Sequence, residues 1–412
     1  MPATLDPHDP QPDGTDRLLL HEAADALRHA RGDVVVLDDR TGALVLGVLE
    51  VLEVLEVLET VKAGGVRSAH DWVTAERSLE AALAAAGATH RVAIHRSATH
   101  HSAVHHGLAA EGAGSELLGS ELLGSGLLGS GLLGAGLLGA ASVVLLRLPK
   151  SLDALEETAQ AIARWAPDDV VVYAGGPVKH MTRTMNEVLE RSFGEVRATL
   201  GRSKARALVA RHPLDAARTA PPTFPRTARL DELDLTVVAH GGVFAGTRLD
   251  IGTRTLLGVL DQAAPDARDA VDLGCGTGVL ATVLARSRPG VHVVASDQSA
   301  AAVASTLATA RANGVGDRVT GLRDDAVSTL PDGSADLVVC NPPFHAGTTL
   351  ETDAAHRMFA AAARVLRPGG ELWTVYNSHL RHKSALGRTV GPTTMVLQNP
   401  KFTVTRSVRP GA

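Results

Sequence analysis

Cysteine is almost absent from this chain of 412 residues: Cys275 and Cys340 are the only two. That excludes a disulfide scaffold and suits a reducing cytosol. A strong charge of one sign is also lacking. The formal charge is −5, so any contact with nucleic acid has to come from local basic patches. Long, purely apolar runs are missing too. The nearest approach, residues 122–146, is uncharged but carries seven glycines in 25 residues, a weak candidate for a membrane span. The opening MPATLDPHDPQPDGTD has no apolar core behind a basic start. It reads as a disordered tail over 1–15, not as a signal peptide. No membrane association and a cytoplasmic location are the expectations.

What is present describes a soluble α/β protein of two domains. Hydrophobic residues make up 45% and charged residues 21%, enough for two sizeable cores. The second half alternates strands and helices, the pattern of a parallel sheet covered by helices. AVDLGCGTGVLATVLA is a strand, a glycine turn and a helix. VHVVASDQSAAAVASTLATARANG is a strand ending at Asp297, then an alanine-rich helix stopped at Asn313-Gly314. ADLVVCNPPF and ELWTVYN are further strands. The first half repeats this order: VVVLDDRTGAL for VDLGCGTGVL, with Asp38 matched to Asp272; VRSAHDW for VVASDQS, with Asp71 matched to Asp297; ASVVLLRLPK for ADLVVCNPPF, with Arg147 and Lys150 opposite Asn341 and Phe344. The reading is an internal duplication whose first copy lost its site, keeping only Gly42 of the three turn glycines.

Two low-complexity runs interrupt the first copy. Gly87 to Ala141 spans 54 positions against 21 from Gly314 to Ala335, and the excess holds a five-residue repeat ending in GLLGAGLLGA. Asp38 to Asp71 spans 33 against 25 from Asp272 to Asp297, and that gap holds VLEVLEVLEVLE. Both are read as expansions in connections between elements, near 48–59 and 112–140. About five pentapeptides are too few for a self-supporting coil. The expected domains are 16–212, a proline-rich linker over 213–229, and 230–412.

The chemistry concentrates at strand ends of the second copy. Asp272-x-Gly274-x-Gly276-x-Gly278 follows a strand and opens a helix, where glycine allows positive φ and close approach of a ligand to the backbone. A dinucleotide-binding domain has such a turn as well. Asp297 suits a carboxylate accepting both ribose hydroxyls, and Asp325 an acceptor for an adenine amino group. Asn341-Pro342-Pro343-Phe344 then ends the fourth strand. This corner resembles that of methyltransferases acting on amide or exocyclic nitrogens. By that resemblance the Asn341 side-chain oxygen and the Pro342 carbonyl would each accept one N–H bond of an aryl amine, whose lone pair is delocalised into the ring. Pro343 would stiffen the corner, and Phe344 would stack on the base.

At these residues the chain resembles the class I S-adenosylmethionine-dependent methyltransferases with an N-P-P-aromatic motif. GVFAGTRLDIGTRTLL before the first strand and the NPPFH sequence narrow the resemblance to the bacterial ribosomal-RNA guanine-N2 methyltransferases. LPKSLDALEE, AGGPVKHMTRTMNEVLE and KARALVA favour their large-subunit member over the small-subunit one. The resemblance implies an α/β fold of two tandem Rossmann-like methyltransferase domains, the first degenerate. It also implies S-adenosylmethionine on Asp272, Gly274, Gly276, Gly278, Asp297 and Asp325, and the target amine at Asn341 to Phe344. Phe244, Asp250 and Thr253 would line the entrance, and His345 would contact the base or support the site.

The partner so implied is ribosomal RNA, free or in a particle, with no obligate protein partner. Basic surface is found locally: eleven Lys/Arg against four acids between Gly175 and Arg229, Lys204 and Arg206 among them, and six Lys/Arg with no acid after Glu371. Six histidines lie in 90–106 without the cysteines or carboxylates of a metal site, so no metal is expected. The rival readings are methylation of a protein glutamine or another nucleobase amine, and a non-catalytic RNA-binding assembly factor.

Overall fold

The computed structural model describes residues 10–57, 64–96, 133–343 and 349–411. The chain divides into two compact units, which meet in sequence between Phe224 and Pro225.

Unit 1 runs α1 (Gly14–Arg28), β1 (Asp33–Leu37), α2 (Ala43–Val57), β2 (Val66–Ala69), α3 (Val73–Ala85), β3 (Val92–His95), α4 (Ala135–Leu138), β4 (Ala141–Arg147), α5 (Leu152–Trp165), β5 (Val171–Pro177), α6 (Arg183–Glu190), β6 (Phe193–Ala198), β7 (Ala205–Pro213) and α7 (Asp215–Thr219). Its sheet has the order β3-β2-β1-β4-β5-β7-β6. Pairing is parallel from β3 to β5 and antiparallel at β7 and β6.

Unit 2 begins with a hairpin of β8 (Arg226–Leu230) and β9 (Leu235–Ala239). It continues through α8 (Ile251–Leu257), β10 (Asp269–Leu273), α9 (Val279–Ser287), β11 (His292–Asp297), α10 (Ala300–Ala312), β12 (Val319–Arg323), β13 (Ala335–Cys340), α11 (Thr349–Val365), β14 (Leu366–Asn377), α12 (Lys383–Thr389), β15 (Thr393–Gln398) and β16 (Phe402–Val408). The order β12-β11-β10-β13-β14-β16-β15 repeats that of unit 1 strand for strand. Helices cover both faces, so the strands are buried on both sides and alternate residues feed two cores. In β10, Ala270 joins one core with Leu284 and Trp373, while Val271 and Leu273 join the other with Phe359 and Tyr376. The chain leaves β10 toward β11 on one side and returns at β13 on the other, which opens a crevice at the strand C-termini.

Several sequence expectations shift. The VLE repeat is not a connection: α2 covers 43–57 and is fifteen residues long, against nine for its counterpart α9. The repeat lengthens a helix. The last pentapeptide is not insertion either, because α4 buries Leu137 and Leu138 in the unit 1 core; the repeat before Leu133 lies outside the described residues. The stretch 213–229 is no bare linker, since β7 reaches Pro213, α7 occupies Asp215–Thr219 and β8 starts at Arg226. Helix α1 begins at Gly14, inside the span assigned to the tail. His90 and His95 belong to a 3-10 turn and β3, and His100 to His106 lie outside the described residues. Among the described residues no helix is long and apolar enough to cross a membrane, and no cluster of His, Cys, Asp and Glu could hold a metal.

Candidate active site

Strand β10 ends at Leu273 and the chain turns through Gly274, Gly276 and Gly278, with φ of 81°, 55° and 75°. The Gly274 and Cys275 amides donate to the Ser296 carbonyl at 2.8 and 3.0 Å, which anchors the turn to β11. A Cβ on Gly278 would stand 2.6 Å from Thr306 Cγ2 and 2.8 Å from its Cα, whereas one on Gly276 would meet nothing within 4 Å. Gly278 is therefore glycine for packing against α10. Gly276 leaves room beside the backbone.

Three carboxylates lie at or just beyond the ends of neighbouring strands, and Asp297 contacts Gly276 itself. Asp272 is 1% exposed and its Oδ2 accepts the Ala281 amide of α9 at 3.0 Å. Its Oδ1 is buried and has no hydrogen-bond partner among the described residues. Burial, with the Asp297 charge adding to it, pushes Asp272 up to about 7. An orphaned buried carboxylate oxygen is what a ligand donor would satisfy. Asp297 closes β11 and accepts from the Gly276 amide (3.2 Å) and the Ser299 amide (3.0 Å). Asp325 Oδ1 accepts from Gln298 Nε2 at 2.8 Å. The sequence reading overlooked the buried neighbour Asp324, which accepts from the Asp325 and Thr329 amides and from the Ser328 and Thr329 hydroxyls. Asp324 builds the loop that presents Asp325.

Across the crevice, β13 delivers Asn341, followed by a buried Pro342 and an exposed Pro343. Asn341 Nδ2 donates to Asp250 Oδ2 and to Thr253 Oγ1, each at 3.0 Å. Asp250 is also the N-cap of α8, accepting the Thr253 amide at 3.0 Å. Because a carboxylate only accepts, the amide nitrogen has to face Asp250, and this settles which way the Asn341 amide points. Asp250 and Thr253, expected at the entrance, thus act on Asn341 directly. Phe244 sits in the turn before α8 with its ring half exposed. Phe344 and His345 lie outside the described residues. Lys204 and Arg206 belong to unit 1, in the turn before β7 and on its first residues.

The strand register corrects the pairing between the copies. Leu37 and Leu273 hold the same place, so Val36 replaces Asp272 and Asp38 stands at Gly274, in a left-handed conformation with φ 59°. Likewise His70, not Asp71, takes the place of Asp297. Asp39 sits where unit 2 has Cys275, and its carboxylate accepts the Thr41, Gly42 and Val45 amides. Val45 corresponds to Ala281, so a shifted acid caps the same helix amide and folds the glycine turn onto itself. At the β4 end Arg147 replaces Asn341 and pairs with Asp13 (2.7 Å) and Asp16.

Part of the expected basic surface is structural. Arg406 pairs with Glu371, Arg409 donates to the Arg364 and Leu366 carbonyls, and Arg218 pairs with Asp168 at 2.7 Å. Lys179, Arg197, Arg202, Lys204 and Arg206 make no ion pair among the described residues.

Comparison with known proteins shows the family and the fold. Residues 234–406 match the Methyltransferase small domain family and residues 79–214 the RLMG N-terminal domain family. The chain is 40% identical over 272 residues to the ribosomal RNA large subunit methyltransferase G of Streptomyces coelicolor, covering 65% of this chain and 72% of that protein. The protein of the same name from Ectopseudomonas mendocina is 39% identical over 268 residues, covering 64% and 70%. A solved structure, the Thermus thermophilus 16S rRNA N2 G1207 methyltransferase RsmC in complex with AdoMet and guanosine, shares the fold at a TM-score of 0.66. It is 20% identical, and the match covers 94% of this chain and 92% of that one. With paired sheets of one topology and this extent of identity, the chain belongs to the ribosomal RNA large subunit methyltransferase G family.

Proposed function

We propose that unit 2 transfers a methyl group from S-adenosylmethionine to the exocyclic N2 of a guanosine in ribosomal RNA, that of the large subunit as in the relatives' names. The reaction belongs to the cytoplasm, where RNA is reached free or in a particle. Asp272, Gly274, Gly276, Asp297 and Asp325 would hold the cofactor, and the orphaned Asp272 oxygen and the space at Gly276 fit such a ligand. When bound, that cofactor supplies an electrophilic methyl group on a sulfonium.

The observation that carries the proposal is Asn341, whose nitrogen is fully used and whose Oδ1 is left as an acceptor. The guanine amine has two N–H bonds. Asn341 Oδ1 and the Pro342 carbonyl accept them, which draws the nitrogen toward tetrahedral geometry and directs its lone pair at the methyl group. Little proton chemistry is asked of the protein; positioning supplies most of the rate. A base inside structured RNA has to be exposed or turned out to reach this corner. Phe244 on unit 2, with Lys204 and Arg206 on unit 1, is proposed for RNA contact, the two cations through phosphates.

Asn341→Ala tests the assignment. Cofactor affinity should stay within about threefold while transfer falls about 100-fold or more, the loss typical of a positioned polar group in an active site. Full transfer by that variant would remove Asn341 from its role.

A further inference from the structure

We infer that Asp250 and Thr253 form an orienting clamp that makes Asn341 an obligate acceptor and thereby restricts the site to target groups that bring an N–H. The inference rests on the methyl-transfer reading of the same site.

An asparagine amide can turn over about its last side-chain bond, exchanging its oxygen for its nitrogen. In the wrong orientation Asn341 would present a donor to an amine, donor facing donor. Two bonds prevent this. Both hydrogens of Nδ2 are used, one on the Asp250 carboxylate and one on the Thr253 hydroxyl, each at 3.0 Å. Among the described residues nothing donates to Oδ1. The carboxylate also polarises the amide and strengthens Oδ1 as an acceptor. A ring nitrogen or carbonyl that only accepts finds no partner in Oδ1, since acceptor would face acceptor. The packing is close as well: a Cβ on Gly252 would stand 3.0 Å from Asp250 Oδ2 and 3.2 Å from Asn341 Oδ1.

Unit 1 supports the same geometry independently. Asp13 is the N-cap of α1 and Asp16 its third residue, the places that Asp250 and Thr253 hold on α8. Both hold the residue at the C-terminal end of the fourth strand, there Arg147. Where that residue is a guanidinium, the third helical residue is a carboxylate; where it is an amide, a hydroxyl. The N-cap is Asp in both copies, while the third helix position and the strand end differ together. Asp250 and Thr253 are positioning residues, acting through Asn341.

The test separates the clamp from the cap. In Asp250→Ser, serine still caps α8 but is too short to reach Asn341; Thr253→Val removes the other acceptor at nearly constant volume. Single-turnover transfer to ribosomal RNA should fall about tenfold or more in Asp250→Ser and about threefold or more in Thr253→Val, since small misplacement costs large factors. Cofactor affinity should stay within about twofold. In an Asn341→Ala background Asp250→Ser should cause no further loss. A wild-type rate in both variants, or the same fold loss with Asn341 absent, would overturn the clamp. A second reading needs no activity. In protein labelled with 15N-asparagine, the Asn341 side-chain N–H pair should exchange slowly with solvent, and quickly in Asp250→Ser and Thr253→Val. Fast exchange in the unaltered protein would refute the clamp, whereas slow exchange with no transfer to RNA would refute only the methyl-transfer reading.

Discussion

Replacing Gly278 and Gly276 by alanine, one at a time, should produce opposite kinds of damage. Both residues have left-handed backbones, which cost a side chain about 1–2 kcal/mol. Only at Gly278 does the new methyl strike protein: it would lie 2.6 Å from Thr306 Cγ2 and 2.8 Å from its Cα. The Cα belongs to α10 and cannot step aside as a side-chain tip would. Overpacking adds about 1–3 kcal/mol, for a total of about 2–5 kcal/mol. At about 2–4 °C per kcal/mol for a unit of this size, the unit 2 transition should drop by about 4–20 °C. Gly276→Ala bears the backbone cost alone and should lose about 2–8 °C by the same scale. Its methyl instead enters the space beside Asp297, so cofactor affinity should fall tenfold or more, a cost of about 1.4 kcal/mol. Calorimetry of the unliganded proteins and titration with S-adenosylmethionine measure the two effects. Wild-type affinity in Gly276→Ala, or equal melting losses in the two variants, would refute the division of roles.

Other consequences follow from the carboxylates. Arg147→Ala leaves Asp16, whose side chain is 2% exposed, as a buried acid without its main partner. It should destabilise unit 1 by about 3–5 kcal/mol without altering cofactor affinity, which a melt and a titration would check. Asp272 rises from 3.8 to about 7 on folding, so the folded protein holds a proton that the unfolded chain releases. Its favourable contribution is complete below about pH 4 and is lost as pH rises through 7, a change of at most about 4 kcal/mol. Melting of the unliganded protein should therefore fall between about pH 4 and 7, and Asp272→Asn should flatten that slope. An unchanged slope would mean that another group titrates there.

Much of this was legible from residues alone because strand ends carry distinctive chemistry. The glycine turn, Asp297 and the NPPF corner each announce a backbone or polar requirement that ordinary core positions do not have. Periodicity was a poorer guide in the VLE run. A repeat of three residues drifts by about 60° per repeat on a helix of 3.6 residues per turn, so no fixed apolar face declares the helix that α2 forms. Matching Asp38 to Asp272 followed residue identity. The register instead follows Leu37 and Leu273, and the acid moved three places to Asp39 while capping the same amide. The clamp on Asn341 joins residues about ninety positions apart, a contact that local pattern does not encode. One signal was available: Asp13 and Asp250 each precede the first sheet strand by about twenty residues.

Methyl transfer to RNA itself is the most direct test. The protein is incubated with S-adenosylmethionine carrying a labelled methyl group and with unmodified ribosomal RNA, both free and in small- and large-subunit particles; the RNA is then digested to nucleosides. The proposed function predicts label in N2-methylguanosine of the large-subunit RNA, reduced about 100-fold or more with Asn341→Ala. Label in another nucleoside, label in a protein glutamine, or no label in any substrate would contradict the assignment.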